Sequence, residues 1–279
     1  MADEWHTAMK GDATKTAIAK KLGIARSSLH YHHTLPEKDW RLKVQMEDVL
    51  HEYPSYGHKR IATHLGINKK RALRVMKLFG IKPYRRRRKP RIKGNKDGAE
   101  TIGAYENLLL RLSSNPDKPD TVWVSDFTYL PYQGRFVYVA TVMDMYTREV
   151  VGKHILTAHT IELIWKALIE AVYSRPCLPH ILHSDPGSEY RAKEYVHFAE
   201  SLGIDISMTR KAHPWENGYQ ESFYSQFKLD LGDPNTFQNL GELVYGIYHT
   251  IYIYNHKRIH TALKMPPAEF CQRHYQRSS

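Results

Sequence analysis

The stretch that begins at Thr121 is dominated by β-branched and aromatic residues, grouped into consecutive short runs. Such residues favour strands, and the Gln133-Gly134 pair between the first two runs favours a turn, so the first three runs are expected to form an antiparallel meander. The patterns predict strands over 121–130, 136–143, 149–155, 180–183 and 204–208, and helices over 160–173 and 192–202. A meander followed by alternating helix and strand predicts an α/β domain, a mixed five-stranded sheet with flanking helices.

The chain beyond this sheet is predicted to be mainly helical. A helix is expected over 216–231, a Gly-Asp-Pro-Asn break at 232–235 and a long helix over 240–254. A basic tail follows the long helix. The Pro266-Pro267 pair ends that tail, and a short helical cap is expected after it.

A short segment near the amino terminus occurs twice. Residues 18–24 read IAKKLGI and residues 61–67 read IATHLGI, a shift of 43 positions (61 − 18). An alanine at a helix crossing, with a glycine four residues later that can adopt positive φ, is typical of a helix-turn-helix. We predict two such all-α units with second helices over 26–33 and 69–79, and an ordinary helical hairpin is the alternative.

The charge of the chain favours a polyanionic partner. Lys and Arg total 41 against 29 Asp and Glu, a net charge of +12, and each phosphate that such a chain neutralises releases counterions. The sequence contains no apolar run of about 18 residues, which makes a membrane the weaker partner. Residues 84–94, YRRRRKPRIKG, are predicted to form an extended linker that follows DNA, and a solvated tether is the alternative.

These patterns divide the chain into four parts. A short helix is also expected around 105–112, within the third part. The expected parts are a first helix-turn-helix at 1–36, a second at 37–83, a basic linker at 84–118, and the α/β core with its basic carboxyl-terminal tail at 119–279.

Three acidic residues stand out by their contexts: Asp126 in VWVSDFTYL, Asp185 in HILHSDPGSEY and Glu221 in ENGYQESFYSQFK. Asp126 lies within an apolar strand, where an unliganded buried carboxylate is unfavourable. Asp185 ends another strand, and Glu221 lies on the predicted helix over 216–231. A set of oxygen ligands without cysteine suits Mg²⁺ or Mn²⁺. We expect the three to hold two ions, which can activate a water or a 3′-hydroxyl and stabilise the leaving oxygen of a phosphodiester.

The spacing of these acids, with 35 residues between Asp185 and Glu221 (221 − 185 − 1), resembles the DDE motif of retroviral-type integrases and insertion-sequence transposases. The likeness extends to YGHKRI at 56–61, to VWVSDFTYL and LHSDPGSEY, and to YNHKRIHTALKMPPAEF at 254–270. Together these segments resemble the orfB-type transposases of the IS-three group, in collinear order over nearly the whole chain.

The resemblance implies a ribonuclease H-like core that performs metal-dependent DNA cleavage and strand transfer at transposon ends. It implies double-stranded DNA as the partner, both as element ends and as target, and an upstream orfA-type protein or fusion as a further partner. Because two DNA ends must be brought together, a dimer or higher oligomer is expected. The chain has no convincing amino-terminal leucine-zipper heptad.

One departure from the family pattern bears on the third acid. Many relatives have an Asp-Asn pair shortly before the final Glu, whereas this chain has WENG at 215–218. Glu216 lies five residues from Glu221, some 140° away around a helix, so the two cannot easily face one metal. We assign Glu221 as the ligand and place Glu216 near the helix start, where an acidic group interacts favourably with the helix dipole.

Three further residues near the acidic segments are assigned supporting roles. Asp144 is expected to organise the turn before the third strand together with Arg148. Glu189 is expected to cap or orient the loop after Asp185. His183 is expected to pack or to support a metal ligand rather than to be one.

Basic and aromatic side chains elsewhere are expected to contact DNA. Lys228 follows Glu221 by seven residues, nearly on the same helical face, which places it beside a bound phosphate or leaves it as a simple solvated lysine. Trp215 would stack on a base or pack in the core. The full set is Arg26, Ser27, Ser28, Lys69, Lys70, Arg71, Arg85, Arg86, Arg87, Arg88, Lys89, Lys211, Trp215, Lys228, Lys257 and Arg258.

These features predict a DNA transposase of the bacterial cytoplasm, associated with the nucleoid. Two cysteines are too few for a disulfide framework, and the amino terminus lacks the pattern of a signal peptide. A ribonuclease H-like nuclease that only hydrolyses DNA is one alternative. A non-catalytic DNA-binding regulator is another, although a regulator has no chemical use for the three acids.

Overall fold

The structure is a computed structural model that describes residues 15–30, 34–85, 105–112, 115–210 and 217–278. Its amino-terminal part is helical, as predicted. The elements are α1 (Lys15–Lys21), a 3₁₀ helix (Arg26–His30), α2 (Leu35–Glu52), α3 (His58–His64) and α4 (Lys69–Leu78).

The two copies of the repeated segment adopt the same turn. Gly23 has φ +66° and Gly66 has φ +64°, a conformation that glycine adopts without steric strain. The residue after each glycine closes the turn: Ile24 N donates to Ala19 O at 3.1 Å, and Ile67 N donates to Ala62 O at 2.9 Å. The predicted positive φ of the two glycines is therefore confirmed.

The helices that follow the two turns differ from each other. The second copy leads into α4, close to the predicted helix over 69–79, with Asn68 capping it through a hydrogen bond from Lys70 N to its side chain at 2.8 Å. The first copy leads only into the 3₁₀ helix of residues 26–30, and residues 31–33 lie outside the described residues. The described part of this range therefore forms a 3₁₀ helix and not the regular helix predicted over 26–33.

Helix α2 was not predicted, although its sequence carries a helical signal. Leu42, Met46 and Val49 recur at i, i+4 and i+7 and are all buried. The buried carboxylate of Asp39 accepts two hydrogen bonds of 2.6 Å from the guanidinium of Arg74, which ties α2 to α4. This helix supplies one wall of the amino-terminal core.

The central domain is built on the predicted five strands: β1 (Val122–Tyr132), β2 (Arg135–Asp144), β3 (Val150–Leu156), β4 (Ile181–Ser184) and β5 (Asp205–Met208). Their order in the sheet is β3-β2-β1-β4-β5. The first three strands pair antiparallel, whereas β4 pairs parallel with β1 and β5 pairs parallel with β4. The mixed five-stranded sheet is therefore confirmed.

Helices cover both faces of this sheet. They are α5 (Ile161–Ser174), α6 (Lys193–Ser201), α7 (Gly218–Leu231) and α8 (Leu240–His256), followed by α9 (Pro267–Ser278), and short 3₁₀ helices lie at Leu108–Arg111 and Pro234–Thr236. None of the helices in the described ranges is long and apolar enough to span a membrane.

Alternate residues of β1 face the two cores. Trp123 packs with helices α5 and α6, whereas Val122 and Val124 pack with α7 and α8. In β4, Ile181 belongs to the α7 and α8 core and Leu182 to the other core. Successive side chains of a strand point to opposite faces, so this alternation fixes the face on which every later residue of β1 and β4 lies.

Gly152 on β3 permits the close approach of α5 to the sheet. A Cβ atom at this position would lie 2.1 Å from Ala167 O and 2.7 Å from both Ala171 N and Ala171 Cβ. Since backbone atoms cannot move aside as a flexible side chain can, we expect Gly152→Ala to lower the free energy of unfolding by at least about 3 kcal/mol. Urea denaturation of the purified variant measures this.

Gly218→Ala is the matched control, because no atom lies within 4 Å of the added Cβ and its φ is not in the left-handed region. That variant should unfold within about 1 kcal/mol of the parent protein. Equal denaturation midpoints for the two variants would contradict the packing described for Gly152.

Candidate active site

Asp126 lies on β1, and Asp185 directly follows β4, the strand beside it. The parallel register of β1 and β4 pairs Ser125 with Ser184, and each acid is the residue that follows. By the alternation of side chains, both carboxylates face the side of the sheet that is covered by α7 and α8. The register thus brings together two acids that are 59 positions apart (185 − 126).

Glu221 lies in the first turn of α7, and two neighbours on that helix anchor it to the sheet. Gln220 Nε2 donates to Val124 O at 2.7 Å, and the Tyr224 hydroxyl donates to Asp126 O at 2.7 Å. Thr141 on β2 joins both, with 3.1 Å from its Oγ1 to Gln220 Oε1 and 2.8 Å from its Oγ1 to the Tyr224 hydroxyl. The helix carrying Glu221 is therefore hydrogen-bonded to the strand carrying Asp126.

Gln220 and Tyr224 were not singled out from the sequence. Both are buried, whereas Glu221 between them is exposed. Their spacing of four residues in GYQESFY places them on one helical face, next to Glu221, and this was the available signal. Polar residues on an otherwise apolar face of a helix need partners, and here the partners are strand carbonyls and Thr141.

The electrostatics of Asp126 link the three acids. Burial, and then the negative charges of Asp185 and Glu221, raise the pKa of Asp126 to about 7. The hydrogen bond from Phe127 N and the positive charge of Lys228 act in the opposite direction. A carboxylate disfavoured by two like charges is a group that a cation would stabilise.

The donor set fits a hard divalent cation. It consists of oxygen atoms only, the kind of ligand that Mg²⁺ and Mn²⁺ prefer. Asp126 Oδ1 accepts from Phe127 N at 2.8 Å and Asp185 Oδ1 accepts from Thr209 Oγ1 at 3.1 Å, which orients both carboxylates. Within the described ranges no three Asp, Glu, His or Cys side chains are spaced to hold one ion as they stand, so the carboxylates would have to draw together around it.

Asp144 has the structural role expected of it. Its Oδ1 accepts hydrogen bonds from Thr147 N at 2.6 Å and Tyr146 N at 3.1 Å, and its Oδ2 accepts from Asp120 N at 2.7 Å. Arg148 takes part through its backbone, with its N donating to Asp144 O at 2.9 Å. Asp144 therefore organises the turn between β2 and β3.

Glu189 and His183 are engaged with neighbouring side chains. Glu189 pairs with His159, with 3.2 Å between its Oε1 and the histidine Nε2. His183 is buried and its Nδ1 lies 2.8 Å from Ser207 Oγ. Glu216 lies outside the described residues.

The side chains expected on DNA fall into three groups, apart from Arg258, which is buried. Lys228 lies near the acids, since its charge lowers the pKa of Asp126, and its Nζ is 5.3 Å from the ring centroid of Tyr129. Those that are exposed are Arg26, Ser27, Ser28, Lys69, Lys70, Arg71, Arg85 and Lys257. Those outside the described residues are Arg86, Arg87, Arg88, Lys89, Lys211 and Trp215.

The structure does not support the prediction that Arg258 contacts DNA, because its guanidinium is already bonded to protein groups. It is 3% exposed, its Nη1 lies 3.0 Å from Asp230 Oδ2, and its Nη2 donates to Ser55 Oγ at 2.9 Å. Its guanidinium also lies 5.2 Å from the ring centroid of Tyr56, and the Tyr56 hydroxyl accepts from Ile259 N at 2.7 Å. Arg258 thus joins the amino-terminal helices to α7 instead of facing DNA.

Two family models match the chain, and both are described as an integrase core domain. One covers residues 116–214 and the other residues 202–267. The ranges include all three acids and all five strands. The mixed sheet with flanking helices is the ribonuclease H-like architecture of such cores, so the predicted fold class is confirmed.

Curated relatives extend the likeness over the whole chain. An uncharacterised 31 kDa protein of insertion element IS600 from Shigella sonnei is 31% identical over 93% of this chain and 99% of its own length. The transposase of insertion sequence element IS904 from Lactococcus lactis is 28% identical over 80% of this chain and 89% of its own length. The solved catalytic core of HTLV-2 integrase in complex with magnesium is 18% identical, with a TM-score of 0.43, over 55% of this chain and 97% of that one.

Lys257 and Arg258 are adjacent in the chain, but only Arg258 is buried, so their substitutions can be compared directly. Removing Arg258 leaves the carboxylate of Asp230 without its buried ion pair, so Arg258→Ala should lower the free energy of unfolding by about 3 to 5 kcal/mol. Lys257 is exposed, and Lys257→Ala should change it by less than about 0.5 kcal/mol. Guanidinium denaturation measures both, and a stable Arg258→Ala protein would refute the buried role.

Tyr224→Phe tests whether the docking of α7 sets the geometry of the acids. Loss of the hydroxyl breaks the hydrogen bonds to Asp126 O and Thr141, so Glu221 is held less firmly. We expect Mn²⁺ affinity, measured by titration calorimetry, to fall about 10- to 100-fold. Tyr245→Phe, at a position 70% exposed, is the control and should bind Mn²⁺ as the parent does.

Proposed function

Because the chain belongs to the DDE transposases of insertion sequences, we propose that it binds the ends of its own element and joins them to target DNA. We place it with the orfB-type enzymes of the IS-three group. In this proposal Asp126, Asp185 and Glu221 are the catalytic residues and hold two Mg²⁺ or Mn²⁺ ions. The reaction class is phosphoryl transfer, with cleavage at element ends followed by strand transfer.

One observation supports this proposal: the three acids lie together on one face of the sheet, where β4 ends beside β1. The register of β1 and β4 places Asp126 beside Asp185, and the hydrogen bonds of α7 bring Glu221 over them. The charges of Asp185 and Glu221 both act on Asp126. Asp144 and Glu189 are engaged in a turn and in an ion pair, and so do not compete for the assignment.

The protein's own part in the reaction is to hold and orient. Bound divalent ions would activate the attacking oxygen and stabilise the leaving one. Phe127 N and Thr209 Oγ1 orient Asp126 and Asp185. Lys228 would contact a non-bridging phosphate oxygen and offset negative charge as it develops. Water or the 3′-hydroxyl of DNA is the nucleophile, so no side chain needs to form a covalent intermediate.

The helical part of the chain would supply most of the grip on DNA. Helix α4 is the second helix of a helix-turn-helix, the one that enters the major groove in such units. It begins with Lys69, Lys70 and Arg71, which are exposed. The net charge of +12 favours association with any duplex, and base contacts would select the element ends. Arg26, Ser27, Ser28, Arg85 and Lys257 are exposed and are proposed to contact phosphates or base edges.

Assembly and location follow from the chemistry. Two ends must be held together for integration, so we propose a dimer or higher oligomer on DNA, with an upstream orfA-type protein as a further partner. Its substrate, chromosomal DNA, places the protein in the bacterial cytoplasm at the nucleoid.

A strand-transfer assay tests the function directly. Linear duplexes that carry the terminal sequences flanking the coding region are mixed with the protein, a supercoiled target and Mg²⁺. We expect joined products from the parent protein, and a loss of at least about a thousandfold in Asp126→Asn, Asp185→Asn and Glu221→Gln, since each variant removes a negative charge from the ligand set.

Glu200→Gln, which changes an exposed carboxylate on α6, is the matched control and should retain full joining. Circular dichroism and gel-shift assays establish that each variant is folded and binds DNA. Cleavage without joining by the parent protein would favour a nuclease. Joining that persists in Glu221→Gln would remove Glu221 from the site.

A further inference from the structure

A cleft of about 720 Å³ lies between the amino-terminal helices, helix α7 and the segment after α8. Pockets of this size, about 300 to 1,000 Å³, commonly hold a ligand. Its positively charged lining residues are Arg60, Arg148 and Arg258, and His260 lies among them. No Asp or Glu from the described ranges lines it. The cleft is separate from the triad of acids, which line none of it.

Arg148, which lines this cleft, has an unfavourable backbone conformation. Its φ of +64° is rare for a residue other than glycine, asparagine or aspartate, and the hydrogen bonds of the Asp144 turn enforce it. The guanidinium lies 3.8 Å from the ring centroid of Tyr219, in the first turn of α7. Its Nη1 is buried and has no hydrogen-bond partner in the described part of the chain. A buried charged donor left without an acceptor is unfavourable, which points to a ligand that supplies one.

Arg60 and His260 line the cleft with Arg148, and no carboxylate of the described residues lines it beside them. Arg60 packs on the Tyr56 ring at 5.0 Å, and its pKa is lowered to about 10, first by burial and then by the charge of Arg258. His260 Nδ1 is also buried without a partner among the described residues. Burial and the charges of Arg148, Arg60 and Arg258 lower its pKa to about 4, so at neutral pH it is an uncharged imidazole.

Arg258 does not account for this arrangement, because it is already neutralised. Asp230 pairs with it at 3.0 Å. Neither Arg60 nor Arg148 forms an ion pair with a carboxylate of the described residues, and Arg60 Nη2 donates only to a backbone carbonyl there, Ser55 O at 3.5 Å. The cleft is therefore lined by two guanidinium groups that have no carboxylate partner in the described part of the chain, and by a neutral imidazole.

We propose that this cleft holds a backbone phosphate of the bound DNA, with Arg148 and Arg60 as its main ligands and His260 as a further hydrogen-bonding partner. The inference rests on the proposed function. Guanidinium groups form paired hydrogen bonds with phosphate oxygens, and two of them can surround one phosphodiester. A bound phosphate would give the guanidinium of Arg148, whose buried Nη1 has no partner among the described residues, a negatively charged acceptor.

The place of the cleft favours DNA over other anions. Gly218, Tyr219 and Ser222 line it and flank Glu221 on the same turns of α7. Arg60, at the other wall, belongs to α3 of the second helix-turn-helix. A strand that passes from this helical unit to the acids would cross the cleft, so the phosphate would fix how far the reacting bond lies from the unit that selects the sequence.

The test is the salt dependence of binding to a duplex carrying the terminal sequences, measured by fluorescence anisotropy in Ca²⁺ to prevent cleavage. For Arg148→Gln and Arg60→Gln we expect affinity at 0.15 M salt to fall about tenfold, and the slope of log affinity against log salt to decrease in magnitude by about one. Arg148→Lys should retain the slope. Arg273→Gln, an exposed arginine paired with Glu269 on α9, should match the parent.

A change on the DNA side excludes misfolding as the cause. Duplexes with one neutral methylphosphonate at successive positions should reveal a single linkage whose substitution weakens the parent about tenfold. The same substitution should have no further effect on Arg148→Gln. Additive losses at every linkage would overturn the proposal.

Two other results would also overturn it. An unchanged slope for Arg148→Gln, with strand transfer by the parent still dependent on Glu221, would reject the cleft and leave the transposase function intact. A change in oligomeric state by sedimentation, without a change of slope, would assign the cleft to a carboxylate of a second copy. Failure of the parent to bind or join DNA would instead count against the proposed function itself.

Discussion

A buried polar network between helix α7 and the sheet fixes where Glu221 lies relative to Asp126. Gln220 and Tyr224 reach the carbonyls of Val124 and Asp126, and Thr141 links them. Apolar packing alone tolerates small slides and rotations of a helix, whereas short, directional hydrogen bonds to strand carbonyls favour one position of the helix. Glu221, exposed between the two anchors, therefore has a defined place above Asp126.

Helix α7 also connects the region of the three acids to the amino-terminal helices. Its Asp230 pairs with Arg258, which bonds Ser55 and packs on Tyr56 from the amino-terminal helices. The segments YGHKRI and YNHKRIH therefore pack against each other, although they lie about 200 residues apart. Helix α7 takes part in the acidic site, in this contact and in the arginine-lined cleft, so a shift of the helix would disturb all three.

Local chemistry explains which expectations from the sequence were met. The strands are rich in β-branched residues, the repeated glycines need positive φ, and Asp144 precedes a turn, so each feature depends on near neighbours. The expected helix over 26–33 is in part a 3₁₀ helix, and α2 was not predicted although its buried apolar residues recur at helical spacing. Arg258 was assigned to DNA because a basic run reads the same whether its charges face solvent or a buried carboxylate.

By itself the sequence determined the fold class, and it indicated three acids as a proposed site for a hard divalent ion, because strand propensity, spacing and ligand type are written in short segments. Only the tertiary structure decided that Ser125 pairs with Ser184, that α7 is anchored by Gln220 and Tyr224, and that Arg258 is buried while Arg148 lines a cleft. Strand register and burial are set by contacts between residues far apart in the chain. A pattern read along the chain does not contain those contacts.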